Sequence, residues 1–184
     1  MNKTHLDELI EMMEEAHSDP NNELTTLEQW LGIAKEFRED IKESKRIYIG
    51  CDHAGFDMKE YVVSELHDMG YLVKDFGCFS NDSVDYPDFG HMVADHVSIS
   101  SNRKGIVICG SGNGINMSVN KHKNVRGALC WDEELAVLAR QHNNSNILSL
   151  PARFISMDKA KKIVSAFLNT DFEGGRHERR VNKI

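Results

Sequence analysis

One stretch concentrates most of the chemistry that this sequence can offer: Cys109-Gly110-Ser111-Gly112-Asn113-Gly114. Three glycines at every second position let backbone N–H groups converge on an anion where a helix begins. The spacing is GxGxG rather than GxGxxG, no acidic ribose ligand follows, and no Gly-Lys-Ser/Thr closes the turn. Neither a dinucleotide fingerprint nor a Walker A loop fits. Alone, such a turn could be only a tight strand-to-helix connection. The cysteine that opens it adds a reactive group, because a thiolate is stabilised beside a helix N-terminus. The competing reading of Cys109 is a small buried hydrophobe at a strand end, and that reading suffices for Cys51 and Cys130.

Other titratable residues fall at comparable places. Asp52-His53 suits acid–base work or a phosphate contact, although an Asp there could simply cap the next helix. His142-Asn143 could be a helix C-terminal pair favoured by the dipole. The end of the chain, Gly174 to Ile184, holds four cations and one acid. Its arginines could be a solvated basic end or a fork for phosphate.

The elements that must position these residues alternate. Short β-rich runs are expected at 46–50, 71–75, 105–109, 125–130 and 146–150. Helical patterns are expected at 56–69, 88–97, 114–120, 133–141 and 156–169. Pro87 suits the first turn of the second helix. Five strands separated by helices make a parallel sheet with right-handed crossovers, an α/β fold of the Rossmann-like αβα sandwich type. Ligands of such sheets bind outside the carboxyl ends of the strands, where Asp52-His53 and the Cys109 loop should lie.

Residues 1–45 have a different grammar. Leu6, Leu9, Ile10, Met13 and Ala16 recur at helical spacing, Asp19-Pro20-Asn21-Asn22 breaks the pattern, and Thr25 to Glu28 offers a capping box for a second amphipathic run. An acidic α-helical hairpin is expected at 1–45, ahead of the domain at 46–184. This segment has five Lys and Arg against twelve Asp and Glu, while 46–184 carries 17 of each, so the whole net charge of −7 lies in the first quarter. That argues against a nucleic-acid surface there. With 40% hydrophobic and 28% charged residues the chain is globular. No apolar run is long enough for a membrane span, and the acidic start lacks the apolar core of a signal peptide. Four scattered cysteines without a CxxC pair fit reduced thiols in the cytoplasm, not a disulfide frame or zinc ribbon.

Asp52-His53-Ala54-Gly55, Asp85-Tyr86-Pro87, the Cys109–Gly114 loop, Arg140-Gln141-His142-Asn143 and Gly174-Gly175-Arg176-His177 with Arg180, in that order, resemble the type B ribose-5-phosphate isomerases. The broader group includes galactose-6-phosphate and allose-6-phosphate isomerases. The resemblance runs from about Arg46 to Val181 and leaves 1–45 outside. It implies an aldose–ketose isomerase of the pentose phosphate pathway, working through a cis-enediolate without metal or other cofactor. Cys109 resembles the base; other members carry a glutamate after the loop, where this chain has Ile115. Ser111 resembles the proton relay, His142 the ring-opening acid/base with Asp52 close by to share that task. The N–H groups around Gly110, Gly112, Asn113 and Gly114 would hold the enediolate oxygen. Asn143 and Tyr86 resemble substrate-hydroxyl contacts; His53, Arg153, Arg176 and Arg180 resemble the phosphate clamp. At Leu150-Pro151-Ala152-Arg153 the family usually has a glycine before the arginine. The resemblance also implies a homodimer, or a dimer of dimers, with shared active sites, and a sugar phosphate as the small-molecule partner, with no nucleic acid and no membrane. A six-carbon aldose phosphate is the alternative substrate, and a non-catalytic phosphosugar sensor the alternative of a different class.

Overall fold

The structure, a computed structural model, describes residues 45–184 together with Gly32, Lys35, Ile41 and Glu43, which are helical. The expected hairpin and its capping box otherwise lie outside the described residues. The chain divides into two compact units, Met1–Lys45 and Arg46–Ile184.

The second unit is built on β1 (Arg46–Cys51), β2 (Leu72–Asp75), β3 (Lys104–Cys109), β4 (Gly127–Leu129) and β5 (Ile147–Pro151). All pair in parallel in the order β2-β1-β3-β5-β4. The central strands β1, β3 and β5 are the continuous apolar runs, as expected of strands covered on both faces. The helices are α1 (Phe56–Asp68), α2 (Tyr86–Val97), α3 (Asn113–Val119), α4 (Glu133–Asn143), α5 (Met157–Leu168) and a short α6 (Glu178–Val181).

Alternation along the strands sorts the core into two layers. Ile47, Ile49, Ile106, Ile108, Leu148 and Leu150 face α1, α4 and α5, where Met58, Val62, Leu66, Ala136, Ile163 and Phe167 meet them. Tyr48, Val107 and Cys109 point the other way, against Val93, Ala94 and Val97 of α2 and Ile115 and Val119 of α3. Cys51 and Cys130 belong to the first layer and Cys109 to the second, so the cysteines at the strand ends look in opposite directions.

Helix starts follow from local chemistry. The Asp132 carboxylate accepts the Glu134 N–H at the head of α4, and Ser156 Oγ accepts the Lys159 N–H at the head of α5. Pro87 occupies the first turn of α2. α3 has no side-chain cap; its leading residue Gly112 is left-handed, at φ 73°. A Cβ there would also collide with Leu129 Cδ1.

Most element ends fall within one or two residues of the sequence reading, and three differences are larger or bear on the site. β4 pairs over only three residues, because the Asn146 side chain takes over at its entrance: Oδ1 accepts the Arg126 N–H and Nδ2 donates to Asn124 O. α4 runs on to Asn143 and ends on left-handed Asn144, so His142 and Asn143 are helical. The basic end of the chain contains the one-turn helix α6. Among the described residues no helix is long and apolar enough to cross a membrane.

Candidate active site

The carboxyl ends of β1, β3 and β5 frame a cleft of about 480 Å³, lined by Asp52, His53, Ala54, Tyr86, Cys109, Gly110, Ser111, Gly114, Arg153 and Phe154. Cys109 ends β3 and is buried but for 4% of its surface. The loop it opens is anchored from behind. Cys109 O accepts the Ala152 N–H, Gly110 O accepts the Arg153 N–H, and Gly112 O accepts the buried Ser149 hydroxyl at 2.8 Å. The N–H groups of Gly110, Ser111 and Gly112 have no acceptor among the described residues. Carbonyls therefore turn into the sheet, and unpaired donors remain at the cleft.

The walls come from three other segments. Asp52 Oδ1 accepts the N–H groups of Ala54 and Gly55, both at 3.0 Å, and so caps the 3₁₀ turn His53–Gly55. The capping and pocket readings of Asp52 hold together, since the same residue lines the cleft. His53 Nδ1 lies 3.2 Å from both the N–H and the C=O of Val84; accepting that N–H leaves Nε2–H as a donor. The hydroxyl end of the Tyr86 ring packs against Gly114, where a Cβ would come within 2.6 Å of Cζ. Arg153 crosses Gly110, with Cδ and Nε 3.4 Å from the place a Cβ would occupy.

Burial accounts for the other strand-end thiols. It raises the Cys130 thiol to about 12. Burial and the neighbouring Cys78 sulfur push the Cys51 thiol far up as well.

His142, Asn143, Arg176 and Arg180 stand elsewhere. α4 starts at Asp132, beside the carboxyl end of β4, and runs back to the amino end of β5. Its eleven residues place His142 about 16 Å away, at the opposite edge of the sheet. The expectation that Asp52 lies close to His142 is therefore corrected within one chain: strand and helix run in opposite directions and carry the two residues to opposite edges. The His142 ring stacks on His177, with centroids 4.2 Å apart and planes 1° from parallel. Arg176 Nε donates to His177 Nε2 at 3.2 Å, and the Glu173 carboxylate lies 4.0 Å from His142 Nε2 and 3.8 Å from His177 Nε2. Burial first, then the charges of His142 and Arg176, hold His177 below the usual histidine range. Arg176 and Arg180 are exposed.

His142, Glu173 and His177 bring three ligand atoms within 4.8 Å of one another. The arrangement is poor for a cation. Parallel rings aim their lone pairs side by side rather than at a common point, and the Arg176 N–H occupies the His177 nitrogen.

Sequence reasoning gave no role to Phe154, which is 74% exposed beside Arg153, nor to Leu129 and Trp131. These three, with Ser111, Asn113 and Pro151, line an apolar cavity of about 410 Å³ that shares Ser111 and Phe154 with the cleft. An exposed aromatic after the predicted phosphate arginine is the signal that could have found it.

Residues 47–184 match the family model described as Ribose/Galactose Isomerase. The chain belongs to the ribose/galactose isomerase family. Its curated relatives include ribose-5-phosphate isomerase B of Escherichia coli, 41% identical over 140 residues that cover 76% of this chain and 94% of that one. A probable ribose-5-phosphate isomerase B of Mycoplasma genitalium is 44% identical and covers 77% and 94% of the two chains. Among solved structures, ribose-5-phosphate isomerase B of Clostridium thermocellum aligns with a TM-score of 0.73 at 45% identity, covering 75% of this chain and 93% of that chain. The Mycoplasma genitalium enzyme with bound ribulose-5-phosphate aligns with a TM-score of 0.73 at 44% identity, covering 75% and 92%. All the residues of both clusters lie inside the span that matches the ribose/galactose isomerase family.

Proposed function

We propose that this chain is an aldose–ketose isomerase that interconverts ribose 5-phosphate and ribulose 5-phosphate. The observation that carries the reading is the cleft itself. A thiol opens a loop of unpaired N–H donors, facing His53 and Arg153, in a chain of this family. The Cys109 thiolate takes the proton from C2, and the electron pair moves through the C1–C2 bond onto O1. The N–H groups of the Gly110–Gly114 loop stabilise that oxyanion where its charge develops. Ser111 carries the O2 proton to O1, and Cys109 returns its proton to C1, which gives the ketose. His53 and Arg153 hold the phosphate, and Tyr86 contacts a substrate hydroxyl.

Ring opening needs a proton on the ring oxygen, the role of His142. Since His142, Asn143, Arg176 and Arg180 sit at the far edge of the sheet, this reading takes them from a second copy, docked so that its far edge closes the cleft of the first. The working unit is then a homodimer with two shared sites. The separation of the two clusters supports that reading, because neither one alone has both the base and the ring-opening acid. The test is isomerisation of ribose 5-phosphate, allose 6-phosphate and galactose 6-phosphate by one preparation. The highest kcat/KM is expected for ribose 5-phosphate. A higher value for a six-carbon substrate would overturn the substrate, and turnover of none would overturn the enzyme.

A further inference from the structure

The cleft has a second thiol chemistry directly beneath it. Cys51, the last residue of β1, and Cys78, just beyond β2, place their sulfurs 3.5 Å apart. Their backbones are tied as well: the Cys51 N–H donates to Gly77 O at 2.6 Å and the Cys78 N–H donates to Cys51 O at 2.9 Å. Neighbouring strands lie about 5 Å apart, a separation that a disulfide spans. We propose that Cys51 and Cys78 are a redox-active dithiol which a hydroperoxide closes to a disulfide, and that the closure loosens the phosphate side of the cleft.

The two sulfurs have different roles in that step. Cys51 is fully buried; Cys78, buried but for 4% of its surface, is the more accessible of the two and is followed by the exposed Phe79. Cys78 Sγ attacks the terminal oxygen of the hydroperoxide. An S–O bond forms, the O–O bond breaks, and the alcohol, or water for hydrogen peroxide, departs. Cys51 Sγ then attacks the Cys78 sulfenic sulfur. The S–S bond forms, the S–O bond breaks, and hydroxide leaves as water with the Cys51 proton. Two thiols are oxidised and one peroxide is reduced. Burial keeps Cys51 protonated until that second attack, and the buried ammonium of Lys59 acts against this by favouring the thiolate. Lys59 is held there by Asp75 and sits over the Phe79 ring, 4.9 Å from its centre. Cys109 cannot serve as the resolving thiol, because it faces the opposite layer of the sheet.

The link to the cleft runs through the chain on both sides. Cys51 leads directly into Asp52 and His53. Cys78 begins the loop that ends at Val84, whose backbone meets His53 Nδ1. Drawing the sulfurs together by about 1.5 Å, to bonding distance, pulls on both anchors of His53.

The experiment treats the folded full-length chain with hydrogen peroxide, blocks the remaining thiols, and maps peptides without reduction. A Cys51–Cys78 linked peptide should form and disappear with dithiothreitol. KM for ribose 5-phosphate should rise about fivefold in proportion, the worth of one weakened hydrogen bond, and Cys78→Ser should show neither change. Oxidation of Cys109 is read from the same map and lowers kcat instead. The proposal is overturned if the pair stays reduced while Cys109 oxidises, or if the link forms only after unfolding in urea. A linked pair with unchanged KM overturns the coupling to the cleft. The KM arm rests on the isomerase reading and the peptide map does not, so a linked pair in a chain that isomerises nothing would sink that reading alone. Should Cys78→Ser fail to fold, the map of the unaltered chain still decides.

Discussion

The two ends of the sheet hold the same kinds of residue in opposite settings. At the carboxyl end the reactive groups are fixed by backbone: Cys109 terminates a central strand, Asp52 is spent on a cap, and the loop carbonyls are bonded behind. At the amino end they are fixed by one another. His142 stacks on His177, Arg176 bonds His177, and Glu173 lies beside the Nε2 edges of both rings, while the segment joins the fold by Glu173 N–H to Gln141 O and Arg140 Nε to Thr170 O. The carboxyl end is an open cleft with backbone donors facing it. The amino end sets exposed arginines beside two stacked histidines. On the proposed reading these are complementary halves of one site, which a single chain holds apart.

The comparison breaks first at Cys109. Replacing it with Ala should lower kcat/KM by about 10²–10⁴-fold, the usual worth of a general base, with the melting temperature little changed. Near-normal turnover would remove the base from this end. The division itself is sharpened by mixing Arg176→Ala with Cys109→Ala chains, each nearly inactive alone. Random exchange makes half the dimers hybrid, each with one intact site of two, so about a quarter of normal activity should return. No recovery after confirmed exchange would mean that each site is built within one chain.

A smaller effect separates the ends by pH. The unfolded chain protonates His177 near the usual 6.5, whereas the folded protein holds it neutral to lower pH. Between those values the unfolded state binds more protons, so stability falls as pH falls through the window and is regained as pH rises. The melting temperature should drop from pH 7 to pH 5, and His177→Gln should flatten that drop. An unchanged slope would show that the packing of the amino-end cluster does not govern its protonation. Least is expected of residues 1–45. A chain beginning at Ser44 should keep kcat and KM within a few-fold, under about 1 kcal/mol of transition-state loss. Lost activity in a folded dimer would bring the segment into the site.

Much of this was legible because strands buried on both faces read as uninterrupted apolar runs: 104–109 and 147–151 announce themselves. β4 was read too long, since Val125 and Arg126 look like strand residues while the Asn146 side chain intercepts them. α6 was missed because three charged residues and one valine have no apolar period. The expectation that failed within one chain is Asp52 beside His142: a histidine in the last turn of a helix just before a parallel strand must lie at the amino edge. Phe154 escaped because exposed aromatics give no periodic signal.

The loop after β3 has one more consequence. With the carbonyls of Cys109, Gly110 and Gly112 turned away and the amides left facing the cleft, this surface has a polarity before any side chain acts. It would sort arriving molecules by sign. Along the loop a cation such as a free magnesium ion would meet N–H hydrogens and find no carbonyl to bind, whereas a dianion would be drawn to that face whatever its carbon skeleton. Inorganic phosphate and sulfate should therefore compete weakly with any sugar phosphate here, so the loop acts as a filter for charge and leaves recognition of the sugar to the walls.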